Sequence, residues 1–431
     1  MSENYQMPRG TQDIFGTEID KWHIIESLAK DMCYLYNYEE IRTPVFEHTE
    51  VFARKNDSSD VVNKEMYTFT DNGGRSLTLR PEGTAGIIRS FVEHKMYGNA
   101  DLPTKFYYIA PNFRYERPQK GRMRIHHQFG CEVIGAKSPI IDCEVITLGI
   151  SVVKALGLKD IKVLINTLGD FESREAYKVA LKAHFEQHID TMCEDCKRRL
   201  IQNPLRILDC KIDADHQAMA NAPKLTDYLN DESKAYFNQV LMTLEALGIE
   251  YEVNEKLVRG LDYYSHTVFE VVSVNGNMGS QSTLFGGGRY DNFVSYYGGP
   301  ELSGIGFGMG IERLLVALEA ENIILEEEKE LDVYIMCLDP NNQTKALALA
   351  TKVRAMGFSC DMDYQLRSFK AQFKSVDRQK AKVVFIMGED EFANNEITLK
   401  HIASQTQIKI KEEEMLETLD ELIVTGDDHH E

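Results

Sequence analysis

No apolar run in the sequence reaches the roughly 18 residues that a membrane-spanning helix needs. The first residues, MSENYQMPRG, lack the basic-then-apolar order of a secretory signal peptide. Both absences predict a cytoplasmic protein with no membrane partner. The bias of a disordered chain is also missing, since 11 prolines, 29 glycines and 27% charged residues are ordinary for a globular protein. With 43% hydrophobic residues among 431, the chain can bury two or three domain cores.

The sequence has eight cysteines but lacks the regular spacing of a secreted disulfide scaffold. One cluster joins Cys193 and Cys196 to the later Cys210 and His216. Two close thiolates and two later ligands could form a tetrahedral zinc site. The spacing fits no common zinc finger, however, and no second CxxC follows. We therefore favour ordinary thiols in a helical segment and expect no structural metal, with the zinc site as the alternative.

Basic residues are in the minority, with 48 Lys and Arg against 68 Asp and Glu and a net charge of −20. Phosphate binding needs Lys and Arg, so the average composition argues against nucleic acid. Local stripes decide contact, however, and residues 113–124 and 367–382 are both rich in basic side chains. Each stripe is either a solvated face or a contact surface. Composition alone therefore leaves nucleic-acid binding open.

The hydrophobic pattern predicts an antiparallel α+β body over residues 1–325. A mostly helical insertion is predicted at about 171–250. Pro44 disfavours a central position for the strand that contains it, so that strand should lie at an edge or an interface. The main elements predicted for this body are a helix at 18–36, a strand at Ile41–Val45, hairpins at 66–79 and 105–135, a helix at 81–97, a helix at 139–157, strands at 161–167 and 267–274, and a strand that runs into a helix at 307–320.

A run of glutamates with one lysine at 326–330 is typical of a solvated linker. Beyond it, segments with strand and helix patterns alternate. This alternation predicts an α/β domain over residues 331–431 with a largely parallel sheet.

The two commonest nucleotide-binding loops are also missing. No P-loop and no GxGxxG follows a predicted strand, and GGGRY at 286–290 lacks the Lys-Ser/Thr ending. A protein of this sequence that used ATP would have to hold the phosphates with arginine. Residues 113–118, FRYERP, supply such an arginine.

Polar residues alternate along the hairpin at 105–135. Arg114 and Glu116 would share one face of its first strand, and Gln128 and Glu132 one face of its second. Such a face is costly to bury without a ligand. The alternative is a solvent-facing strand with cross-strand salt bridges.

Three further clusters could carry chemistry. In RPEGT (80–84), the Glu and Thr beside a glycine could bind an ammonium group or simply cap a helix. RGLDYY (259–264) is either a binding segment or a strand–turn with packed aromatics. In GIGFGMGIER (304–313), alternate glycines let another group approach the backbone closely.

Together and in this order, these segments resemble those of the class II aminoacyl-tRNA synthetases. FRYERPQKGR is similar to motif 2 of that class, GIGFGMGIER to motif 3 and IRTPVFEHTEVF (41–52) to motif 1. Other segments look like blocks of the histidyl-tRNA synthetases, namely PRGTQDIFG, LTLRPEGTAG, LVRGLDYY and GGGRYD. The resemblance covers residues 7 to about 424. It implies an antiparallel sheet core flanked by helices, a helical insertion and a C-terminal α/β anticodon-binding domain.

The resemblance also implies a reaction and its site. Histidine would react with ATP, with Mg²⁺ present, to give histidyl-adenylate, and the histidyl group would pass to the 3′ end of tRNA(His). The enzyme would be a homodimer formed through the motif 1 region. The catalytic residues implied at the α-phosphate are Arg114 and Arg259. The ATP-binding residues implied are Arg114, Glu116, Arg122, Arg124, His126 and Arg313. The histidine-binding residues implied are Glu82, Thr84, Gln128, Glu132, Tyr263, Tyr264 and Tyr290. The residues implied for the tRNA acceptor end are Gln119 and Lys120.

The resemblance implies two further details of this site. Glu132 and Tyr264 would bracket the two ring nitrogens of the imidazole. His126 stands where the family pattern Arg-x-Phe-His-Gln has Phe, and a histidine can still stack on adenine.

Three alternatives share parts of this pattern. A histidine-binding regulatory paralogue of ATP phosphoribosyltransferase has the same core. It typically lacks the anticodon domain and does not retain the arginines of the RGLDYY and motif 2 segments, which this chain has. The synthetase-like part of a stress kinase would be accompanied by kinase motifs, which are missing here. RGLDYY disfavours a class II synthetase for another amino acid.

Overall fold

The structure is a computed structural model that describes residues 5–53, 61–98, 101–258, 263–276, 278, 282–325 and 329–424. The chain divides into two compact units, Met1–Glu326 and Glu327–Glu431. Each has a hydrophobic core of its own. None of the helices in the described ranges is long and apolar enough to cross a membrane.

The first unit combines strands and helices in the α+β manner predicted. Its strands are β1 Glu39–Glu40, β2 Phe46–His48, β3 Tyr67–Thr70, β4 Ser76–Leu79, β5 Thr104–Phe113, β6 Ile125–Ile134, β7 Ile161–Thr167, β8 Tyr251–Val253, β9 Ser265–Ser273, β10 Thr283–Tyr290 and β11 Gly304–Gly310. Its helices are α1 Thr17–Leu35, α2 Thr49–Phe52, α3 Thr84–Glu93, α4 Pro139–Ala155, α5 Phe171–Glu186, α6 Glu194–Gln202, α7 Gln217–Ala220, α8 Asp231–Ala246, α9 Phe293–Tyr296 and α10 Ile311–Ala320.

The large sheet has the order β1-β5-β6-β11-β10-β9-β7-β8 among the described strands. Its central pairs are antiparallel, and the parallel pairs β1–β5 and β7–β8 lie at the two ends. On β6, Phe129, Cys131 and Val133 face the core with α1, α4 and α10. Because side chains alternate along a strand, Gln128 and Glu132 point to the opposite face, as the sequence predicts. That face carries the candidate site.

Most elements of this unit are where the sequence predicts them, but two local predictions are wrong. Ile41–Val45 is not a strand: it links β1 to β2, and the carbonyl of Thr43 accepts a 3.0 Å hydrogen bond from Arg80 instead of a ladder bond. Arg114 and Glu116 are not on a strand either. After β5 ends at Phe113, the Glu116 N–H turns back to the Arg114 carbonyl at 2.8 Å, and this turn ends the alternation.

The insertion predicted at 171–250 has two parts. Helices α5 to α7 enclose a core of their own, which includes Phe185, Cys196 and Leu200. Helix α8 belongs instead to the main core, where Val240 and Leu244 are buried with α4.

The second unit is a five-stranded sheet with helices in the part that the structure describes. Its strands are β12 Val333–Cys337, β13 Cys360–Met362, β14 Val383–Met387, β15 Glu396–His401 and β16 Gln407–Lys411. Its helices are α11 Gln343–Ala355, α12 Phe369–Arg378, α13 Glu389–Asn394 and α14 Met415–Leu419. The order is β13-β12-β14-β15-β16. The first three strands are parallel and the last two antiparallel, so the largely parallel sheet predicted is a mixed one. A short turn joins β15 to β16, and only antiparallel neighbours allow such a connection.

Candidate active site

A cleft of about 550 Å³ opens on the sheet face that turns away from the main core. Such a volume suits a ligand of the size of an aminoacyl-adenylate. The structure brings the majority of the predicted site residues together there. The cleft is lined by Glu82, Thr84, Arg114, Glu116, Arg122, His126, Gln128, Glu132, Tyr263, Tyr264, Tyr290 and Arg313.

Three predicted residues lie beside the cleft and do not line it. The guanidinium of Arg124 lies 4.1 Å above the ring of Tyr115. Gln119 pairs with Arg122 across a tight turn in the motif 2 loop, and Lys120, in that turn, forms an ion pair of 2.8 Å with Glu319 on the surface. The predicted Arg259 lies outside the described residues.

Glu132 is the most deeply buried acid of the cleft, with 1% of its surface exposed. Its two carboxylate oxygens accept hydrogen bonds from Thr84 Oγ1 at 2.5 Å and from the Tyr290 hydroxyl at 2.6 Å. Burial raises the pKa of Glu132 to about 8, although these two hydrogen bonds act in the opposite direction. A carboxyl in this state can change its protonation near neutral pH when a ligand presents an N–H group.

The hydroxyl that bonds to Glu132 at 2.6 Å belongs to Tyr290, which the sequence placed in the wall of the histidine pocket. The predicted bracketing of an imidazole by Glu132 and Tyr264 stays a prediction. Tyr264 lines the same cleft and lies against the ring of Tyr263, with 4.6 Å between the ring centroids. Tyr290 is the last residue of β10, which also contains the three glycines of GGGRY.

Glu82 and Tyr263 form a second polar corner. The Glu82 carboxylate accepts from the Ala85 N–H at 3.2 Å and from the Tyr263 hydroxyl at 2.9 Å. The capping alternative for RPEGT therefore holds in part, because Glu82 satisfies an amide in the first turn of α3. The Tyr263 ring stacks on Phe293 at 4.4 Å, which fixes the hydroxyl. The corner is thus held from both sides.

The Gln128 amide is oriented by its neighbours. Its oxygen accepts from Asn112 Nδ2 at 2.7 Å and from the Tyr108 hydroxyl at 3.2 Å. The Gln128 oxygen is therefore occupied within the protein, and the amide nitrogen points over Gly308.

Alternate glycines of β11 lie directly beneath the site. A Cβ at Gly304 would come within 2.0 Å of the Tyr290 ring, and one at Gly306 within 2.0 Å of a Glu132 oxygen. A Cβ at Gly308 would lie 1.7 Å from the Gln128 amide nitrogen. The close approach predicted for GIGFGMG is therefore confirmed. The groups that approach are side chains of the neighbouring strands β6 and β10.

Positive charge collects at the other end of the cleft. Arg114 donates to the Pro81 carbonyl at 2.9 Å, and Arg313 donates to the Thr283 carbonyl at 2.9 Å. Burial, together with these two guanidinium groups, holds the pKa of His126 well below its usual value. The ring is therefore neutral between two cations. Such a site suits a nucleotide. Its phosphates could bind the two guanidinium groups, and its flat base could stack on the neutral ring.

Glu116 and Arg122 form an ion pair at the same end. Glu116 is 9% exposed, so its charge is both buried and compensated within the protein.

Sequence reasoning missed several residues that hold the site. Glu312 accepts from the backbone N–H of His127 at 2.9 Å and from its ring Nδ1 at 3.1 Å, which secures the start of β6. The His127 ring meets Trp22 edge to face at 4.7 Å. The acid beside Arg313 in the motif 3 segment is a usable sequence signal for Glu312. Lys211 lines the cleft from the insertion, and no sequence signal indicated it.

A second missed feature explains the arginine of GGGRY. Arg289 is 0% exposed and forms an ion pair with Asp142 of α4, which is also 0% exposed. Asp142 also accepts from Thr267 Oγ1 at 2.7 Å and from the Tyr236 hydroxyl at 3.1 Å. Because the partners are 147 positions apart, local pattern could not indicate this pair.

Comparison with known proteins agrees with this geometry. The histidyl-tRNA synthetase family matches residues 10–314, and the anticodon-binding domain family matches residues 332–422. The histidine–tRNA ligase of Oceanobacillus iheyensis is 50% identical over 420 residues, which are 97% of this chain and 98% of that protein. The enzyme of that name from Bacillus subtilis is 51% identical over 416 residues, or 96% and 98% of the two chains. The crystal structure of apo S. aureus histidyl-tRNA synthetase superposes with a TM-score of 0.82 at 42% identity, covering 96% of this chain and all 100% of the other. The chain belongs to the histidyl-tRNA synthetase family.

Proposed function

We propose that this chain is a histidine–tRNA ligase of the cytoplasm. It joins histidine to ATP as histidyl-adenylate with release of pyrophosphate, and then transfers the histidyl group to the 3′ end of tRNA(His). The observation that carries the proposal is the union, in one cleft, of a buried Glu132 bound to two hydroxyls and a cationic end formed by Arg114 and Arg313. A regulatory paralogue would need only the first of these features.

The carboxylate of histidine attacks the α-phosphorus, and the bond from that phosphorus to the pyrophosphate oxygen breaks. No protein nucleophile is needed, so the protein acts by position and charge. Arg114 binds the α-phosphate together with the carboxylate of histidine, and Arg313 binds the outer phosphates. Arg259 supplies a second positive charge at the α-phosphate. His126 stacks on adenine, and Arg122 and Arg124 assist at the nucleotide.

A divalent ion fits the phosphate end of this cleft. Glu116 and Glu270 both line it and offer carboxylate oxygens, which are the ligands that Mg²⁺ prefers. Mg²⁺ bound with ATP would neutralise phosphate charge there. Glu116 is already paired with Arg122, so this pair would have to open for a direct contact with the ion.

Histidine binds at the opposite end. Glu132 accepts from one imidazole N–H, and Tyr264 serves the other ring nitrogen. Glu82 and Thr84 accept from the ammonium group, while Tyr263 and Tyr290 form the walls. Gln128 can join them only when its oxygen releases Asn112 or Tyr108. The Thr84 hydroxyl donates its hydrogen bond to Glu132, so the lone pairs of its oxygen can accept from the ammonium group. A pocket of buried polar pairs rejects amino acids that lack them by large factors.

The test is histidine-dependent exchange of labelled pyrophosphate into ATP. Wild type should catalyse it, and Arg114→Ala should lower kcat/KM by at least about 100-fold through the loss of charge stabilisation. Arg117→Ala is the matched control, because Arg117 is an exposed arginine of the same loop that does not line the cleft. A folded wild type that binds histidine without any exchange would favour the regulatory paralogue.

A further inference from the structure

Four potential metal ligands meet in the helical insertion, at the N-terminal end of α6 and in the segment that follows this helix. The ligand atoms of Cys193, Cys196, Cys210 and Asp213 all lie within 4.8 Å of one another. Cys196, Cys210 and Asp213 are 0%, 5% and 8% exposed. We propose that these residues form a closed, structural Zn²⁺ site with three thiolate ligands and one carboxylate ligand.

Two distances between the ligand atoms match those expected around a tetrahedral zinc ion, and all the ligand atoms lie within 4.8 Å of one another. With Zn–S of about 2.3 Å and Zn–O of about 2.0 Å, neighbouring sulfurs should be about 3.8 Å apart, and sulfur and oxygen about 3.5 Å. Cys193 Sγ and Cys210 Sγ are 3.7 Å apart, and Cys210 Sγ and Asp213 Oδ2 are 3.6 Å apart. A disulfide needs about 2.05 Å between sulfurs, so this spacing fits an ion at the centre better than a covalent bond.

Local structure explains why these four residues converge. Cys193 is the N-cap of α6, where the backbone N–H of Cys196 favours its thiolate, and Cys196 follows in the first turn of the helix. The 3-10 turn Pro204–Ile207 then reverses the chain and returns Cys210. The Asp213 N–H donates to Cys210 Sγ at 3.4 Å, and the Cys193 N–H donates to the Asp213 carboxylate at 3.0 Å. These backbone hydrogen bonds orient the thiol of Cys210 and the carboxylate of Asp213, as the groups that surround metal ligands commonly do.

The fourth ligand differs from the one considered in the sequence. His216 Nδ1 accepts from the Ala218 N–H at 3.1 Å, and its Nε2 lies 3.0 Å from Thr191 Oγ1. Both ring nitrogens are therefore used in capping α7 and in holding the neighbouring turn. Asp213 takes the position that the zinc alternative gave to His216.

Zinc binding is balanced without any further reactant. Three thiols lose their protons to solvent and three Zn–S bonds form, while the carboxylate adds one Zn–O bond. The charge of the occupied site is then −2, because four anionic ligands surround one divalent ion.

The site would also act on the catalytic cleft. Cys210 lies between Asp209 and Lys211, and both of these line the cleft. The metal would therefore fix a short segment of the insertion at the wall of the site. A small core of apolar side chains surrounds Cys196 and Cys210. Because a small core stabilises a fold only weakly, a bound metal ion would add to the stability of this part of the insertion.

The test uses the full chain, purified from zinc-containing medium and passed over a desalting column. Elemental analysis should find about one zinc per chain, and cobalt exchange should give thiolate-to-cobalt absorption in the near ultraviolet. Cys196→Ala and Asp213→Asn should lose zinc. Cys360→Ala and Asp215→Asn are the matched controls, since neither residue belongs to the cluster, and they should keep it.

Three results would overturn the proposal. The first is a folded wild type without stoichiometric zinc, even after incubation with Zn²⁺. The second is an intact mass two hydrogens too low together with a peptide map that locates a disulfide between Cys193 and Cys210. The third is loss of zinc in His216→Ala with retention in Asp213→Asn, which would reject the assigned ligand set. Should Cys196→Ala fail to fold, Asp213→Asn and the cobalt spectrum of wild type still decide the question.

Discussion

At the scale of single residues, Glu132 meets conflicting demands. Burial raises its pKa to about 8, so the fold without ligand favours the protonated form. The unfolded chain has the ordinary pKa of 4.5. Between these two pH values the native state binds more protons, and the stability due to this group therefore falls as pH rises. The proposed recognition of histidine, in contrast, needs Glu132 as a carboxylate that can accept an N–H.

Glu132→Gln should separate these demands. The free energy of unfolding should fall less steeply for the variant than for wild type between pH 5 and about 8, because the buried ionisation is gone. Histidine-dependent exchange should fall by about 100-fold or more, and the rise of wild-type kcat/KM for histidine through pH of about 8 should disappear. Denaturant titrations and exchange assays over this range measure both effects. Glu232→Gln, at a side chain 79% exposed, is the control and should change neither. Equal pH slopes for Glu132→Gln and wild type would reject the buried ionisation.

Gly306 sets the space below the same carboxylate. A methyl group there would meet Glu132 Oε2 at 2.0 Å and the Cys131 carbonyl at 2.3 Å. Gly306→Ala should cost about 1–3 kcal/mol of stability and raise KM for histidine at least tenfold, because Glu132 must move. Gly98→Ala has nothing within 4 Å of its new Cβ and should behave as wild type. Calorimetry and steady-state exchange kinetics compare the two, and a normal KM in Gly306→Ala would contradict the close contact.

At the scale of elements, the alternation of side chains along a strand correctly predicted which face each residue of a long strand occupies. The same rule failed beyond the end of a strand. Gln128 and Glu132 were correctly assigned to one face, since β6 is regular and its other face is apolar. Arg114 and Glu116 were not, because the chain turns directly after Phe113. Cleft residues from distant segments, such as Lys211, were beyond sequence reasoning, since only tertiary contact brings them together.

The buried ion pair of Asp142 on α4 and Arg289 on β10 also joins residues that are distant in the sequence. It yields a prediction. Arg289→Ala would leave Asp142 buried and uncompensated, at a cost of about 3–5 kcal/mol. Lys137→Ala breaks an exposed pair with Glu232 and should cost at most about 1 kcal/mol. Calorimetry should resolve the effect as a lower midpoint of the transition of the first unit. Similar midpoints in the two variants would show that the buried pair has little influence.

At the scale of the whole molecule, a chain with a net charge of −20 needs local basic surfaces to bind the tRNA of its proposed reaction. Helix α12 presents Lys370, Lys374 and Arg378 at every fourth position, and all three are exposed. Residues on this spacing share one face of a helix. We propose that this face binds the anticodon arm of tRNA(His), and that the loop with Gln119 and Lys120 reaches the acceptor end.

The double change Lys370→Glu/Lys374→Glu should therefore raise KM for tRNA at least tenfold and leave pyrophosphate exchange unchanged. The salt dependence of tRNA binding should also become shallower, by about one contact per lysine removed. Lys345→Glu, an exposed lysine of α11, is the control in the same unit. Charging assays and filter binding measure these effects. Loss of exchange together with charging would indicate general damage and contradict a role limited to tRNA.

We also propose that the molecule is a homodimer through the motif 1 region. Phe46 and Phe69 lie on the small sheet β2-β4-β3, are 51% and 43% exposed, and have ring centroids 6.3 Å apart. Pro44 and Val45, the latter 41% exposed, directly precede β2. A contiguous apolar surface of this kind is typical of an interface. Phe46→Glu should shift sedimentation of the protein from dimer to monomer, and exchange activity should fall with it. Phe171→Glu, at an apolar side chain 59% exposed in the insertion, should stay dimeric. A monomeric wild type would refute the assembly.

The contact between Trp22 and His127 has an optical consequence. Trp22 is the single tryptophan of the sequence, so the tryptophan emission of the whole chain comes from one ring. That ring is 2% exposed and touches the residue next to Gln128 on β6. The protein thus carries a natural fluorophore one residue away from the cleft proposed to bind its substrates. If histidine or ATP binds there, we expect Trp22 emission to change, and a stopped-flow instrument would record it without any label.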